Sequence, residues 1–231
     1  MAKLFMVPSI ISEGQENEIP EATIQVIHQL KYYVAERART ARRFLKLCQL
    51  PFPIQEIEMV EMDKRDLTMG QDQVLTWLKN GHDVGVISES GMPGIADPGR
   101  EFAQLAHNNQ FEVVPLTGPS SIMLALSASG LNGQNFCFQG YLPIKDHELK
   151  NRFRDLQKNI SKGETQIFIE TPYRNQRMLD QILKSFSGDI KLCIAIDITG
   201  ENQSIMTKKI NKWKGSKPNF DKIPTVFLLG K

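Results

Sequence analysis

Cysteine is scarce in this chain and poorly placed for any framework. Cys48, Cys137 and Cys193 are odd in number and far apart, which excludes a disulfide scaffold and a C-x-x-C site. Each reads as a small buried apolar side chain. His28, His82, His107 and His147 lack metal-ligand spacing, so no metal is expected. No apolar run approaches the roughly 20 residues that span a bilayer. The stretch before Pro8 is too short for a signal peptide and reads as a first strand, so the cytoplasm is the expected compartment. Motifs for common nucleotide and acyl chemistry are missing as well. There is no G-x-x-x-x-G-K-[ST], no G-x-G-x-x-G after the first strand and no G-x-S-x-G. Those absences argue against a P-loop NTPase, a standard dinucleotide-binding domain and an α/β-hydrolase. Charge of one sign is also lacking: a net +2 over 231 residues does not announce nucleic acid.

What the chain has is two dense strand-end loops. Val84–Ile87 is a short apolar run with two β-branched valines. It breaks into Ser88-Glu89-Ser90-Gly91-Met92-Pro93-Gly94-Ile95-Ala96-Asp97-Pro98-Gly99 before a helical pattern begins. Val113-Val114-Pro115-Leu116-Thr117-Gly118-Pro119-Ser120-Ser121 repeats the design. Ligands of open α/β sheets bind just past the carboxyl ends of strands, so both loops mark a candidate site. Glycines let main chain approach a ligand closely. Free N–H groups and hydroxyls at the helix start after Gly118 suit an anion. A ligand with an aminoacyl end and an apolar, aromatic end would match this mixture.

Apolar content of 41% and charged content of 23% are those of an ordinary globular protein. Strands are expected at Leu4–Val7, Tyr32–Ala35, Ile54–Met59, Val84–Ile87 and Glu112–Pro115, with helical spacing between them. That alternation implies parallel βαβ units. After Gly118 the texture changes. Helices are expected at Ser120–Ala128, Glu148–Ile160 and Arg174–Phe186. Strands are expected at Phe136–Gly140, Thr165–Glu170, Leu192–Ile198, Ser204–Lys208 and Thr225–Leu229. Strands set this close imply a mixed sheet. The expected fold is therefore α/β in two domains, residues 1–116 with a parallel sheet and 117–231 with a mixed one. Lys214–Lys222 reads as an exposed loop. Two basic clusters stand out: Arg37, Arg39, Arg42, Arg43 and Lys46, then Lys208, Lys209, Lys212, Lys214 and Lys217. Clusters of this kind contact phosphates or simply form solvated faces.

Residues 86–99 resemble the "ISDAGTPLISDPG" signature of the small-subunit rRNA ribose methyltransferases of the tetrapyrrole methylase superfamily. Val113–Ser121 resembles "VVPLPGPCA/SS", and Leu126–Leu131 resembles "LSASGL". Phe136–Lys145 is similar to "FCYEGFLPAK", and Phe168–Arg174 to "FYESTHR". The resemblance covers nearly the whole chain. It implies two α/β domains with an S-adenosylmethionine (SAM) cleft between them, a homodimer, and methyl transfer to a cytidine 2′-oxygen of small-subunit rRNA. Carried over residue by residue, it implies SAM contacts at Pro8, Ser88, Glu89, Ser90, Gly91 and Met92. It extends them to Pro93, Ile95, Ala96 and Asp97, and to Gly118, Pro119, Ser120 and Ser121 at the second turn.

An RNA 2′-hydroxyl is a poor nucleophile. Glu36, Glu89, Asp97 and Glu170 are candidate bases, Arg37, Arg39 and Arg174 candidate phosphate contacts, and Tyr173 a candidate base-stacking ring. The chain departs from the family at three places. Pro8–Gly14 lacks the Gly-Asn of "PTPIGNL". Ala35–Arg39 reads Ala-Glu-Arg-Ala-Arg for "AEDTR". Ala195–Gly200 reads Ala-Ile-Asp-Ile-Thr-Gly for "ARELTK". Two other readings stay open: carbon methylation of a tetrapyrrole, and a non-catalytic relative that holds SAM or RNA.

Overall fold

A computed structural model describes every residue except 63–68, 187, 214, 216–217 and 219–221. The chain divides into two compact units, Met1–Ser120 and Ser121–Lys231.

The first unit is built on five parallel strands: β1 (Lys3–Val7), β2 (Tyr32–Ala35), β3 (Glu58–Glu61), β4 (Val84–Ile87) and β5 (Glu112–Pro115). They lie in the order β3-β2-β4-β1-β5. Four helices belong to this unit among the described residues: α1 (Glu21–Ile27), α2 (Ala38–Leu47), α3 (Gln71–Lys79) and α4 (Arg100–Asn108). Strand alternation sorts the core into two layers. Val7, Tyr33, Ala35 and Ile87 pack with Ile27, Phe44 and Leu45 of α1 and α2. Leu4, Met6, Val34, Val84 and Val86 pack with Val74, Leu78, Phe102 and Ala106 of α3 and α4. Gly85 exists for the first layer, because a Cβ there would lie 2.6 Å from the ring of fully buried Tyr33.

The strand order decides where a ligand fits. From β1 and β2 the chain travels toward β3 through α1 and α2. From β3 and β4 it travels back toward β5 through α3 and α4, on the other face. Neighbouring strands β1 and β4 therefore send their exits to opposite faces. A crevice at such a switch point is where open α/β sheets bind ligands.

The second unit carries β6 (Phe136–Tyr141), β7 (Thr165–Ile169), β8 (Lys191–Ile196), β9 (Ser204–Lys209) and β10 (Thr225–Gly230). Their order is β6-β7-β10-β8-β9, with one parallel pair, β6 with β7, and antiparallel pairs elsewhere. The sheet is mixed, as the spacing of its strands predicts. Its helices are α5 (Ser121–Ser129), α6 (Asp146–Ser161), α7 (Asn175–Ser185) and the short α8 (Ile210–Trp213). Helices α6 and α7 cover one face of the sheet through Leu149, Phe153, Leu156, Met178 and Ile182, packed on Phe168 and Phe227. Helix α5 covers the other through Ile122, Ala125 and Leu126.

One expected strand is misplaced. Ile54–Glu56 forms a 3-10 turn, and the strand runs from Glu58 to Glu61 instead of Ile54 to Met59. Pro51 and Pro53 lead into this stretch, Pro53 as the residue that opens the turn, and proline lacks the N–H a ladder needs. Arg42 then fixes the turn by donating to the carbonyls of Ile54 and Ile57, at 3.1 and 3.3 Å. Most of the expected Lys214–Lys222 loop lies outside the described residues. Among the described residues no helix is long and apolar enough to cross a membrane. The three cysteines are free thiols, Cys48 and Cys193 buried and Cys137 half-buried.

Candidate functional site

Three loops converge at the carboxyl end of the parallel sheet. The exit of β1 is held to the loop after β4 by Ser9, whose N–H donates to the carbonyl of Gly91 at 2.9 Å. The Ser9 hydroxyl donates to the carbonyl of Ser88 at 3.1 Å. Ser88 in turn donates its own hydroxyl to the carbonyls of Gly91 (3.0 Å) and Ser90 (3.3 Å). Both serines are buried, and together they fold residues 88–91 into a fixed turn. The Ser88 hydroxyl thus serves the loop's own shape.

The exit of β5 closes the third side. Leu116 donates its N–H to the carbonyl of Met6 at 3.0 Å. The Thr23 hydroxyl on α1 donates to the carbonyl of Thr117 at 2.7 Å. A Cβ on Gly118 would overlap the ring of Pro8, so only glycine lets these two exits meet. Gly91 sits at φ +69°, and a Cβ there would come within 3.3 Å of the carbonyl oxygen of Pro119. Pro8, Gly91, Gly118 and Pro119 are thereby brought together.

The rest of the β4 loop is shaped by its own backbone. The Gly94 N–H donates to Pro98 at 3.2 Å, and Ala96 takes φ +64°. Ile95 is 48% exposed at the loop's tip. Met92 is half-buried, Pro93 buried and Asp97 half-buried. A cradle of glycine-dense backbone with one apolar tip fits an aminoacyl-nucleoside ligand such as SAM.

A cavity of about 260 Å³ opens at the switch point between β1 and β4. Its walls are Ser9–Gly14 and Glu16 from the β1 exit, Thr40, Ala41, Arg43, Phe44 and Leu47 from α2, and Ile87–Glu89 from β4. Apart from Pro8, the sequence reading gave the β1 exit no part in the site. The rule that singled out the β4 and β5 loops applies equally to Ser9–Gly14, and that signal was present in the order of residues.

Of the candidate bases, Glu89 lines this cavity, while Glu36 is buried at the end of β2. Arg39, Arg43 and Lys46 lie on the exposed side of α2, Arg37 is exposed just before it, and Arg43 pairs with Glu13 at 3.0 Å. Arg42 is set apart, because its guanidinium holds the Ile54–Ile57 segment.

In the second unit Glu170 and Arg174 face each other. An Arg174 Nη2 lies 2.7 Å from the Glu170 carboxylate, whose side chain is 1% exposed against 26% for the arginine. The other carboxylate oxygen accepts the N–H of Thr171 at 2.7 Å. Both residues are thus engaged with each other, while Tyr173 between them is 78% exposed. Ser121 begins α5. Two members of the second basic cluster are engaged: Lys208 sits over the Trp213 ring and Lys209 pairs with Asp189, while Lys212 is exposed. Lys214 and Lys217 lie outside the described residues. No group of three or more metal-ligand side chains occurs among the described residues.

A parallel sheet with glycine-dense loops gathered at its switch point defines an α/β protein built to cradle a small ligand in backbone. Residues 14–212 match the family model of the Tetrapyrrole (Corrin/Porphyrin) Methylases, and the chain belongs to that family. It is a methyltransferase, with SAM as methyl donor. It is 29% identical over 99% of its length, and 74% of the relative's, to the ribosomal RNA small subunit methyltransferase I of Bacillus subtilis (strain 168). The Thermotoga maritima protein of the same name is 28% identical over 92% of this chain and 90% of its own. In fold the chain is similar to the crystal structure of the methyltransferase CobJ. The TM-score is 0.66 at 18% identity, with 100% of this chain and 95% of that one covered.

Proposed function

We propose that this enzyme methylates a cytidine 2′-oxygen in small-subunit rRNA. The observation that carries the reading is the exposed basic side of α2, with Arg39, Arg43 and Lys46, preceded by exposed Arg37, beside the strand-end cavity. A polyanionic acceptor would meet cations there while its reacting nucleotide reached the glycine loops. Relatives named ribosomal RNA small subunit methyltransferase I support it.

In this reading residues 88–97 and 118–121 hold SAM chiefly through backbone. SAM, when bound, supplies a methyl group already activated on a sulfonium. The chain's task is then positioning, which can be worth about 7–11 kcal/mol of a barrier. Ser9 and Ser88 keep the loop in shape before the ligand arrives. Glu89, placed at both the loop and the cavity, is the best-situated carboxylate to meet an acceptor. We further propose a cytoplasmic homodimer, which light scattering would contradict with a mass near 26 kDa at micromolar concentration.

Purified protein incubated with methyl-labelled SAM and total rRNA from a strain lacking the gene tests the reading. Label in small-subunit rRNA is the expected result. Label only in porphyrinoid precursors would move the acceptor to a tetrapyrrole, and label in neither would remove both.

A further inference from the structure

The cavity between the β1 exit and α2 has a composition that a backbone cradle for SAM does not require. Its lining carries apolar residues from two elements, Ile10 and Ile11 of the β1 exit and Phe44 and Leu47 of α2. Three acidic residues, Glu13, Glu16 and Glu89, also line it, the last two half-buried. Arg43 lines it as well, and Arg39 and Lys46 are exposed on the same side of α2 outside it. The pair Arg43–Glu13 is 67% and 79% exposed, and exposed pairs of this kind are weak enough to exchange partners.

We infer that this cavity is a base slot, taking one unstacked, amino-bearing base of the acceptor strand; the inference rests on the RNA reading above. Three features converge on it. At about 260 Å³ the cavity falls below the roughly 300–1,000 Å³ of pockets for drug-sized ligands, so it suits a single base better than a macrocycle. A carboxylate accepts hydrogen bonds from an exocyclic amino group, as from cytosine N4, and repels the carbonyl that uracil presents there. The apolar residues of the β1 exit and α2 offer surface for the faces of a flat ring, while the cations of α2 meet the phosphates on either side. Ser88 and Glu89 belong to both the slot and the β4 loop, so a base seated there brings its own ribose beside the methyl-donor loop.

Thr40 and Leu47 line the slot from exposed positions on α2, so Thr40→Trp and Leu47→Trp each fill it without disturbing the core. Two variants from different turns guard against a folding failure in one. Filter binding and label transfer with small-subunit rRNA, calorimetry with SAM, and competition by free CMP and UMP are measured on the full chain. Both variants are expected to lose at least tenfold in RNA affinity and methylation. SAM affinity and the slope of RNA binding against salt should stay as in wild type, because phosphate contacts are untouched. CMP should compete with RNA for the wild type well below the concentration at which UMP does.

Full RNA binding by both variants, a flattened salt slope, or equal competition by UMP would each overturn the base slot while leaving the RNA acceptor standing. Loss of SAM binding in the variants would overturn it too, by assigning the cavity to the donor. A wild type that neither binds nor labels rRNA removes the acceptor reading and the slot together.

Discussion

The N–H of Ser9 donates to the carbonyl oxygen of Gly91 over 2.9 Å, across 82 positions of sequence. This antiparallel bridge, outside every named strand, joins the exit of β1 to the turn after β4. It converts two loops into one rigid ledge at the switch point.

Gly91 is the joint of that ledge. At φ +69° an L side chain costs roughly 1–2 kcal/mol, and the carbonyl of Pro119 lies 3.3 Å from where its Cβ would be. Gly91→Val is expected to abolish SAM binding by calorimetry while circular dichroism shows the fold intact. SAM affinity equal to wild type would remove residues 88–91 from the donor site.

Arg39 and Arg42 are neighbours in sequence with different work. Arg42→Ala strips hydrogen-bond donors from two backbone carbonyls and is expected to lower stability by about 1–3 kcal/mol. Arg39→Ala should leave the melting temperature alone, weaken RNA binding and flatten the log–log salt slope by about 0.7 per lost phosphate contact. The reverse pattern would show that the cations of α2 have been assigned wrongly.

The Glu170–Arg174 pair is nearly closed off from water at the carboxylate. Arg174→Met leaves that carboxylate buried without its cation, a change that typically costs about 3–5 kcal/mol. Partial exposure of the arginine puts the expected loss at the low end. Removing both charges, in Glu170→Leu/Arg174→Met, should recover part of it. Denaturation midpoints read the difference, and equal losses in the single and double variants would show that the pair is not coupled.

Alkali should weaken the first unit. Burial pushes the Cys48 thiol up from 9.0 to about 12, with a further rise from Glu16. Burial raises Tyr33 as well, helped by Cys48. The folded state then holds protons that the unfolded chain releases, so stability is full below pH 9 and falls as pH climbs toward 12. Tyr33→Phe and Cys48→Ala should each reduce the slope of stability against pH in that range. Stability that is flat between pH 9 and 11 in the wild type would contradict the burial of these groups.

The legible parts of this chain were those fixed by local chemistry. Val84–Ile87 and Tyr32–Ala35 announce strands because β-branched and aromatic residues run between turn signals. Gly91, Gly94 and Gly118 announce backbone held where other residues do not fit. Ile54–Met59 misled, since Ile54, Ile57 and Met59 suggest a strand from Ile54 on, while the prolines before it and Arg42 make Ile54–Glu56 a turn.

From the residue order alone came the two sheets, the glycine-dense loops and the likeness to a methylase family. Each depends on neighbours in sequence or on a run of types in fixed order. Only the tertiary structure decided which of the charges face outward and which face each other. Arg42 turns to Ile54 and Ile57, Arg174 to Glu170, and Lys209 to Asp189. It also decided that Ser9–Gly14, α2 and Glu89 enclose one cavity. The reason is topological: the aligned pairs of β1 and β4, Met6–Val86 and Val7–Ile87, are 80 positions apart in sequence. They become neighbours because the helical crossovers reverse direction between them, and no local pattern records that reversal.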